Sequence, residues 1–291
     1  MDTRLLRCFL AVAEEGSLTR AARRLFVSQP ALTKQVRRLE DELGVGLFHR
    51  TRTGMTLTDA GRALADRAPT VLAAWDDAVR ETKSAARVLR VGFLASAANE
   101  ATPLIIERFG QARPGWRVDM RQAAWSDPTA GLAGGDVDAA LVRLPFPGMD
   151  GFRVEVLLTE PRWVVLPAAH PLADRAEIAF RDLWDEPFVA APAETGPWRD
   201  YWLATDERDR PPRVGAVTDQ PDDWLQAVAN GYGVALAPAS AARFYARPGV
   251  VYRPVVGVSP SQVAVAWPVD ADPVVVDFVR AAVSACAPPT P

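Results

Sequence analysis

Apolar residues recur every three or four positions over residues 3–15, where Leu6, Phe9, Leu10, Val12 and Ala13 predict a helix with one inward face. Ala21, Ala22 and Leu25 resume the period after Ser17, a residue suited to N-cap a helix because its hydroxyl takes an unpaired first-turn N–H. Phe26-Val27 makes a turn, and Ser28 caps a further helix. Pro30 falls in that helix's first turn, where it has no N–H to leave unpaired. Leu32, Val36, Leu39 and Leu43 lie on one side of it, and Gly44-Val45-Gly46 ends it. Leu47-Phe48 and residues 55–57 then read as two short strands joined by a tip at residues 50–54. From the N-cap Thr58 to about Ser84, Leu64, Ala68, Val71, Leu72, Trp75 and Val79 form a stripe near heptad spacing. One helix cannot bury that stripe alone, so it predicts a partner, either a second copy or the chain's own body. Pro69 removes one helical hydrogen bond and predicts a kink.

The texture changes at Arg87. Strands are predicted at residues 88–94, 116–121, 139–142, 152–158, 162–167, 188–190 and 213–218. Helices are expected after Thr102-Pro103, after Asp127-Pro128, after Gly196-Pro197, over residues 222–230 and after Asp272-Pro273. Strand–helix alternation predicts an α/β domain with a mostly parallel sheet.

Charge sharpens this division. The 291 residues carry a net charge of −3, which does not advertise a nucleic-acid partner. Ten basic and six acidic residues precede Thr58, however, leaving +4 on the head and −7 on the rest. A basic head on an acidic body is expected where only the head meets phosphate. The second predicted helix of the head opens with Gln29 and carries Thr33, Lys34, Arg37 and Arg38 off its apolar side, with acids only at residues 40–42. That composition suits a helix lying in a DNA major groove, N-terminus toward the bases. Arg50 and Arg52 at the strand–strand tip can reach flanking phosphates or a narrow minor groove. Ser28 and Pro30 set the helix entry.

Cys8 and Cys286 are too few for a zinc cluster or disulfide framework, and Cys8 is expected to pack. His49 and His170 are the two histidines. Neither sits in a nucleophile motif, and no Gly-rich phosphate loop appears, so neither catalysis nor a metal or cofactor is expected. No signal peptide or membrane-length apolar run is present, and a cytoplasmic protein is expected.

The run Ala21-Ala22…Leu25…Val27-Ser28-Gln29-Pro30-Ala31-Leu32…Gln35-Val36…Leu39-Glu40…Leu43-Gly44…Leu47-Phe48…Arg50…Leu57-Thr58…Ala60-Gly61 closely resembles the DNA-binding domain of LysR-type transcriptional regulators. The resemblance implies a winged helix-turn-helix over residues 1–58 and a linker helix over 59–86 that pairs antiparallel between two subunits. It also implies an effector domain over 87–291 with a two-lobe, periplasmic-binding-protein-like fold. Lobe I would hold residues 87–161 and 267–291, and lobe II residues 162–266. Implied partners are promoter DNA, a second copy in a dimer or tetramer, a small organic anion, and RNA polymerase as a further candidate.

In open α/β sheets ligands lie beyond the carboxyl ends of strands. Ser96, Ala97 and Asn99 follow the first strand of the body, Arg143 and Phe146 a later one, and Thr195, Gly196 and Trp198 precede a helix of lobe II. Similar regulators bind effectors at the segments matching Ser96 and Thr195. Arg143 can neutralise a carboxylate there, or pair with Glu194 or Asp219 instead. Trp125, Trp198, Trp202 and Trp224 fall near these edges with Thr218, as pocket walls for an apolar body or as plain core. Two other functions fit less of the sequence: a ligand-independent DNA-binding repressor or structural protein, and an enzyme on a solute-binding-like body.

Overall fold

The computed structural model describes residues 2–25, 27–51, 54–95 and 98–287. The side chains of Arg50, Thr51, Arg80, Lys83 and Ser84 are outside that description. Phe26, Arg52, Ser96 and Ala97, all singled out in the sequence, likewise lie outside the described residues. The chain divides into two compact units, Met1–Val88 and Leu89–Pro291.

In the first unit, α1 (Thr3–Glu15) starts at Asp2, whose carboxylate accepts the Arg4 N–H at 2.9 Å. It stops at Gly16, whose φ of +57° is left-handed and favours glycine. Ser17 caps α2 (Leu18–Arg24), and Ser28 caps α3 (Gln29–Leu43) by accepting the Ala31 N–H at 3.3 Å. The hairpin β1 (Phe48–Thr51) and β2 (Gly54–Leu57) pairs antiparallel. Its first strand is fastened to α3 by Glu40, which accepts the Leu47 N–H at 2.7 Å. α4 (Asp59–Ala86) follows, with the Thr58 hydroxyl accepting the Gly61 N–H at 2.9 Å. Gly61 has a packing reason as well, because a Cβ there would run into the Leu47 carbonyl oxygen.

Two apolar clusters hold this unit. Leu32 and Val36 of α3 pack with Cys8, Val12, Ala21 and Ala22, while Leu39 packs with Leu6, Phe9 and Leu47. Leu43, expected on the inward side, is 41% exposed because α3 ends there and the chain turns away at Gly44. The α4 stripe divides. Ala68 and Leu72 are buried in the unit's own core with Leu64 packed against them, whereas Val71 and Trp75 are 46% and 52% exposed. Val79 is half-buried. α4 runs without a break through Pro69.

The second unit is a two-lobed α/β domain. Its elements in order are β3 (Val88–Phe93), α5 (Thr102–Ala112), β4 (Arg117–Gln122), β5 (Ala139–Leu144), β6 (Phe152–Glu160), β7 (Arg162–Pro167), β8 (Ile178–Ala179), β9 (Pro187–Ala190) and α6 (Pro197–Leu203). Then come β10 (Arg213–Val217), α7 (Pro221–Ala229), β11 (Ala235–Pro238), α8 (Ala241–Phe244), β12 (Val250–Val256), β13 (Ser261–Pro268) and α9 (Pro273–Cys286). Lobe I is a five-stranded sheet in the order β4-β3-β5-β13-β6. α5 and α9 cover it through Ile105, Phe109, Val275 and Phe278, the two phenylalanine rings meeting edge-on at 5.7 Å. Lobe II contains the sheet β11-β7-β12-β8 and the parallel pair β10-β9.

Three expectations change. The sheets are mixed: β3 and β5 are parallel, but β13 is antiparallel to both β5 and β6, and β7 to both β11 and β12. The reason is that the chain re-enters lobe I by a strand running back across it rather than by a helical crossover. That return begins at Ser261, ahead of Trp267, because β13 belongs wholly to the lobe I sheet. Asp127 opens turns instead of a helix: its carboxylate accepts the N–H groups of Thr129 and Gly131, and left-handed φ angles at Ala130 and Gly131 (+52° and +91°) stop helical propagation. Among the described residues, no helix is long and apolar enough to cross a membrane.

Candidate functional site

The first candidate surface is built by α3. Burial of Leu32, Val36 and Leu39 turns the opposite face outward, so Gln29, Lys34, Arg37 and Arg38 are exposed. Gln29 and Thr33 sit one turn apart, and the Gln29 amide donates to the Thr33 hydroxyl at 2.8 Å. Arg38 is paired with Glu42 at 3.1 Å. Neither Lys34 nor Arg37 forms an ion pair among the described residues, unlike Arg38. Ser28 and Pro30 are exposed at the helix entry. Beneath this face the Cys8 thiol donates to Gln35 at 2.8 Å. Burial, with Asp2 adding to it, pushes that thiol up to about 11, which keeps it protonated and inert.

The second is a cavity between the lobes, with an empty volume of about 730 Å³ including the solvent at its opening. Lobe I contributes Leu94, Trp125 and Arg143, and lobe II contributes Val189, Trp198, Arg199, Trp202, Leu203, Trp224, Leu236 and Tyr245. The walls are mostly apolar, and tryptophans form a contiguous run. Trp125 lies 6.1 Å from Trp198 and 5.7 Å from Trp224 between ring centroids, and Trp198 lies 6.1 Å from Trp202. The indole N–H groups of Trp198 and Trp202 are buried without a hydrogen-bond partner.

Of the residues picked out in the sequence, Trp125, Arg143, Trp198, Trp202 and Trp224 meet at this cavity. The others have different places. Asn99 is buried, in a left-handed conformation (φ +55°), and donates to Glu160 at 3.1 Å. Phe146 packs on Phe152 in the core of lobe I. The fully buried Thr195 gives its hydroxyl proton to the Pro192 carbonyl at 2.7 Å, and Gly196 takes the left-handed turn into α6. Thr218 donates its N–H to Ala190, with its hydroxyl buried and unpartnered.

Arg143 pairs with neither Glu194 nor Asp219. It is 4% exposed and donates to Glu160 and to the Ser261 hydroxyl, both at 3.0 Å. Asp219 instead accepts the Ser126 hydroxyl at 3.0 Å, tying the lobe I loop to lobe II. Glu160, absent from the sequence reading, ends β6 where the chain leaves lobe I. Its carboxylate also accepts the N–H and hydroxyl of Ser240 in lobe II at 2.7 and 3.0 Å. Burial alone would raise this carboxyl. Arg143, Ser240 and Asn99 outweigh it and hold Glu160 below the ordinary carboxylate range. Close by, Arg162 is buried at the head of β7 and donates to the carbonyls of Ser259 and Tyr201, both at 2.6 Å, fastening one crossing segment to the other. Glu160 escaped the sequence reading because it matters through neighbours that only tertiary structure supplies.

Residues 3–62 match the family described as bacterial regulatory helix-turn-helix protein, lysR family, and residues 82–287 match the LysR substrate binding domain. This chain belongs to the LysR family of transcriptional regulators. It is 32% identical over 281 residues to the transcriptional regulator BudR of Raoultella terrigena, covering 92% of this chain and 94% of that one. It is also 32% identical to HcaR, the Hca operon transcriptional activator of Escherichia coli K12, covering 92% of each. The crystal structure of CbnR, a LysR family transcriptional regulator, aligns with a TM-score of 0.55 at 25% identity over 97% of this chain and 100% of that one. The LysR-type regulator described here is therefore a DNA-binding transcription factor with an effector-binding domain, and not an enzyme.

Proposed function

We propose that this LysR-type regulator binds promoter DNA as a dimer or tetramer, and that a small organic anion, a carboxylate, held between the lobes changes its promoter contacts. α3 enters the major groove with Gln29 toward the base edges and Thr33, Lys34 and Arg37 alongside. Arg50 and Arg52, singled out in the sequence, are assigned to flanking phosphates. The observation that carries this reading is the outward face of α3: exposed, amide-led, and bearing two cations, Lys34 and Arg37, that form no ion pair among the described residues. The exposed Val71 and Trp75 on α4 support self-association, because they leave the apolar stripe half covered. The cavity supports an effector by combining apolar walls with two arginines and, among the described residues, no acidic lining residue.

Fluorescence anisotropy with a duplex that the full chain enriches from a random-sequence pool tests the DNA contact. Gln29→Ala is expected to cost about 1–3 kcal/mol at one base position and to flatten the preference there. Unchanged affinity and unchanged preference would contradict the placement of α3.

A further inference from the structure

Two positive charges line the interlobe cavity, and they differ. Arg143 is almost wholly buried, and both ends of its guanidinium are engaged, one by Ser261 and the other by Glu160. Glu160 is at the same time bonded to Ser240 and Asn99, so the pair belongs to the fastening of lobe I to lobe II. Arg199 stands on α6 between Trp198 and Trp202, half-buried. It forms no hydrogen bond or ion pair with any described residue, and no acidic side chain lines the cavity with it. The cavity thus offers one uncompensated positive charge against walls made by Trp125, Trp198, Trp202, Trp224 and Leu203.

We propose that Arg199 anchors the charged group of the effector, and that the cavity selects an amphipathic monoanion with an aromatic or bulky apolar body. This rests on the reading of the cavity as the effector site, and moves the anchoring role from Arg143 to Arg199. A guanidinium facing a carboxylate forms charge-assisted, often bidentate hydrogen bonds. A dianion would carry its second charge onto apolar walls with no cation to receive it, which is unfavourable. A neutral analogue would forgo the charge-assisted bonds while keeping the ring contacts.

The test uses the full chain and three probes: 4-phenylbutanoate, its neutral carboxamide, and the dianion phenylsuccinate. Quenching of the cavity tryptophans reads binding, and isothermal titration confirms the stoichiometry. Wild type is expected to bind 4-phenylbutanoate about 10- to 100-fold more tightly than the amide or the dianion. Arg199→Gln should remove that preference without changing amide affinity or melting temperature, and Arg199→Lys should restore part of it. Equal affinity for acid and amide, tighter binding of the dianion, indifference to Arg199→Gln, or no binding by any of the three would overturn the proposal. If 4-phenylbutanoate binds through Arg199 yet leaves promoter affinity unchanged, the anchoring role of Arg199 stands and the effector reading falls.

Discussion

At Glu160 a single carboxylate receives Arg143 and Asn99 from lobe I and Ser240 from lobe II. Removing one member of such a buried pair leaves the other charge uncompensated. Glu160→Gln is therefore expected to destabilise the effector domain by about 3 kcal/mol in urea unfolding at neutral pH. The pH dependence has a definite sign. Because the native carboxyl lies below its ordinary value, its stabilisation is complete above that value and is lost as pH falls through the lowered native one. Unfolding followed from about pH 6 to about pH 3 should show stability declining in wild type, with that contribution missing in Glu160→Gln. Little of this was visible beforehand. Arg143 was marked as a candidate cation, but Glu160 is 17 positions away on the next strand of the chain, and no local period joins the two. Arg199 was hidden in another way. Its charge was plain in the sequence, while its lack of a partner is a property of the folded neighbourhood.

Elements whose limits are set by local chemistry were the legible ones. The caps at Ser17, Ser28 and Thr58 and the left-handed glycine at 44 act within a turn of the chain: α2, α3 and α4 start at the three caps, and α3 stops at Gly44. β8, β11, β12 and β13 were not anticipated, since short apolar runs serve strand and helix interior alike. The α4 stripe was legible as a stripe but not as two surfaces. Its spacing does not say that Ala68 and Leu72 turn inward while Val71 and Trp75 stay exposed. That division yields a prediction for the element. A Val71→Asp, Trp75→Asp variant should keep its fold, because neither side chain is in the core, and should sediment as a smaller species than wild type. Sedimentation velocity at micromolar concentration reads the outcome. An unchanged oligomer would place the self-association surface elsewhere.

For the whole molecule, the +4 of the first 58 residues against −7 for the remainder confines attraction for polyanions to the head. DNA affinity should therefore fall steeply with salt despite the net negative charge, since each neutralised phosphate releases counterions. Ligand and DNA bind to different units, so any influence of one on the other is a coupling free energy and must be reciprocal. A monoanion that alters promoter affinity by some factor must have its own affinity altered by the same factor when promoter DNA is present.

The most direct test of the central claim is an anisotropy titration of the full chain against a duplex it enriches from a random-sequence pool and a scrambled duplex of equal length, across a salt series. Sequence-specific regulation predicts binding to the enriched duplex at least about 1,000-fold tighter, with both affinities falling as salt rises. Equal affinity for the two duplexes at every salt concentration would contradict the account.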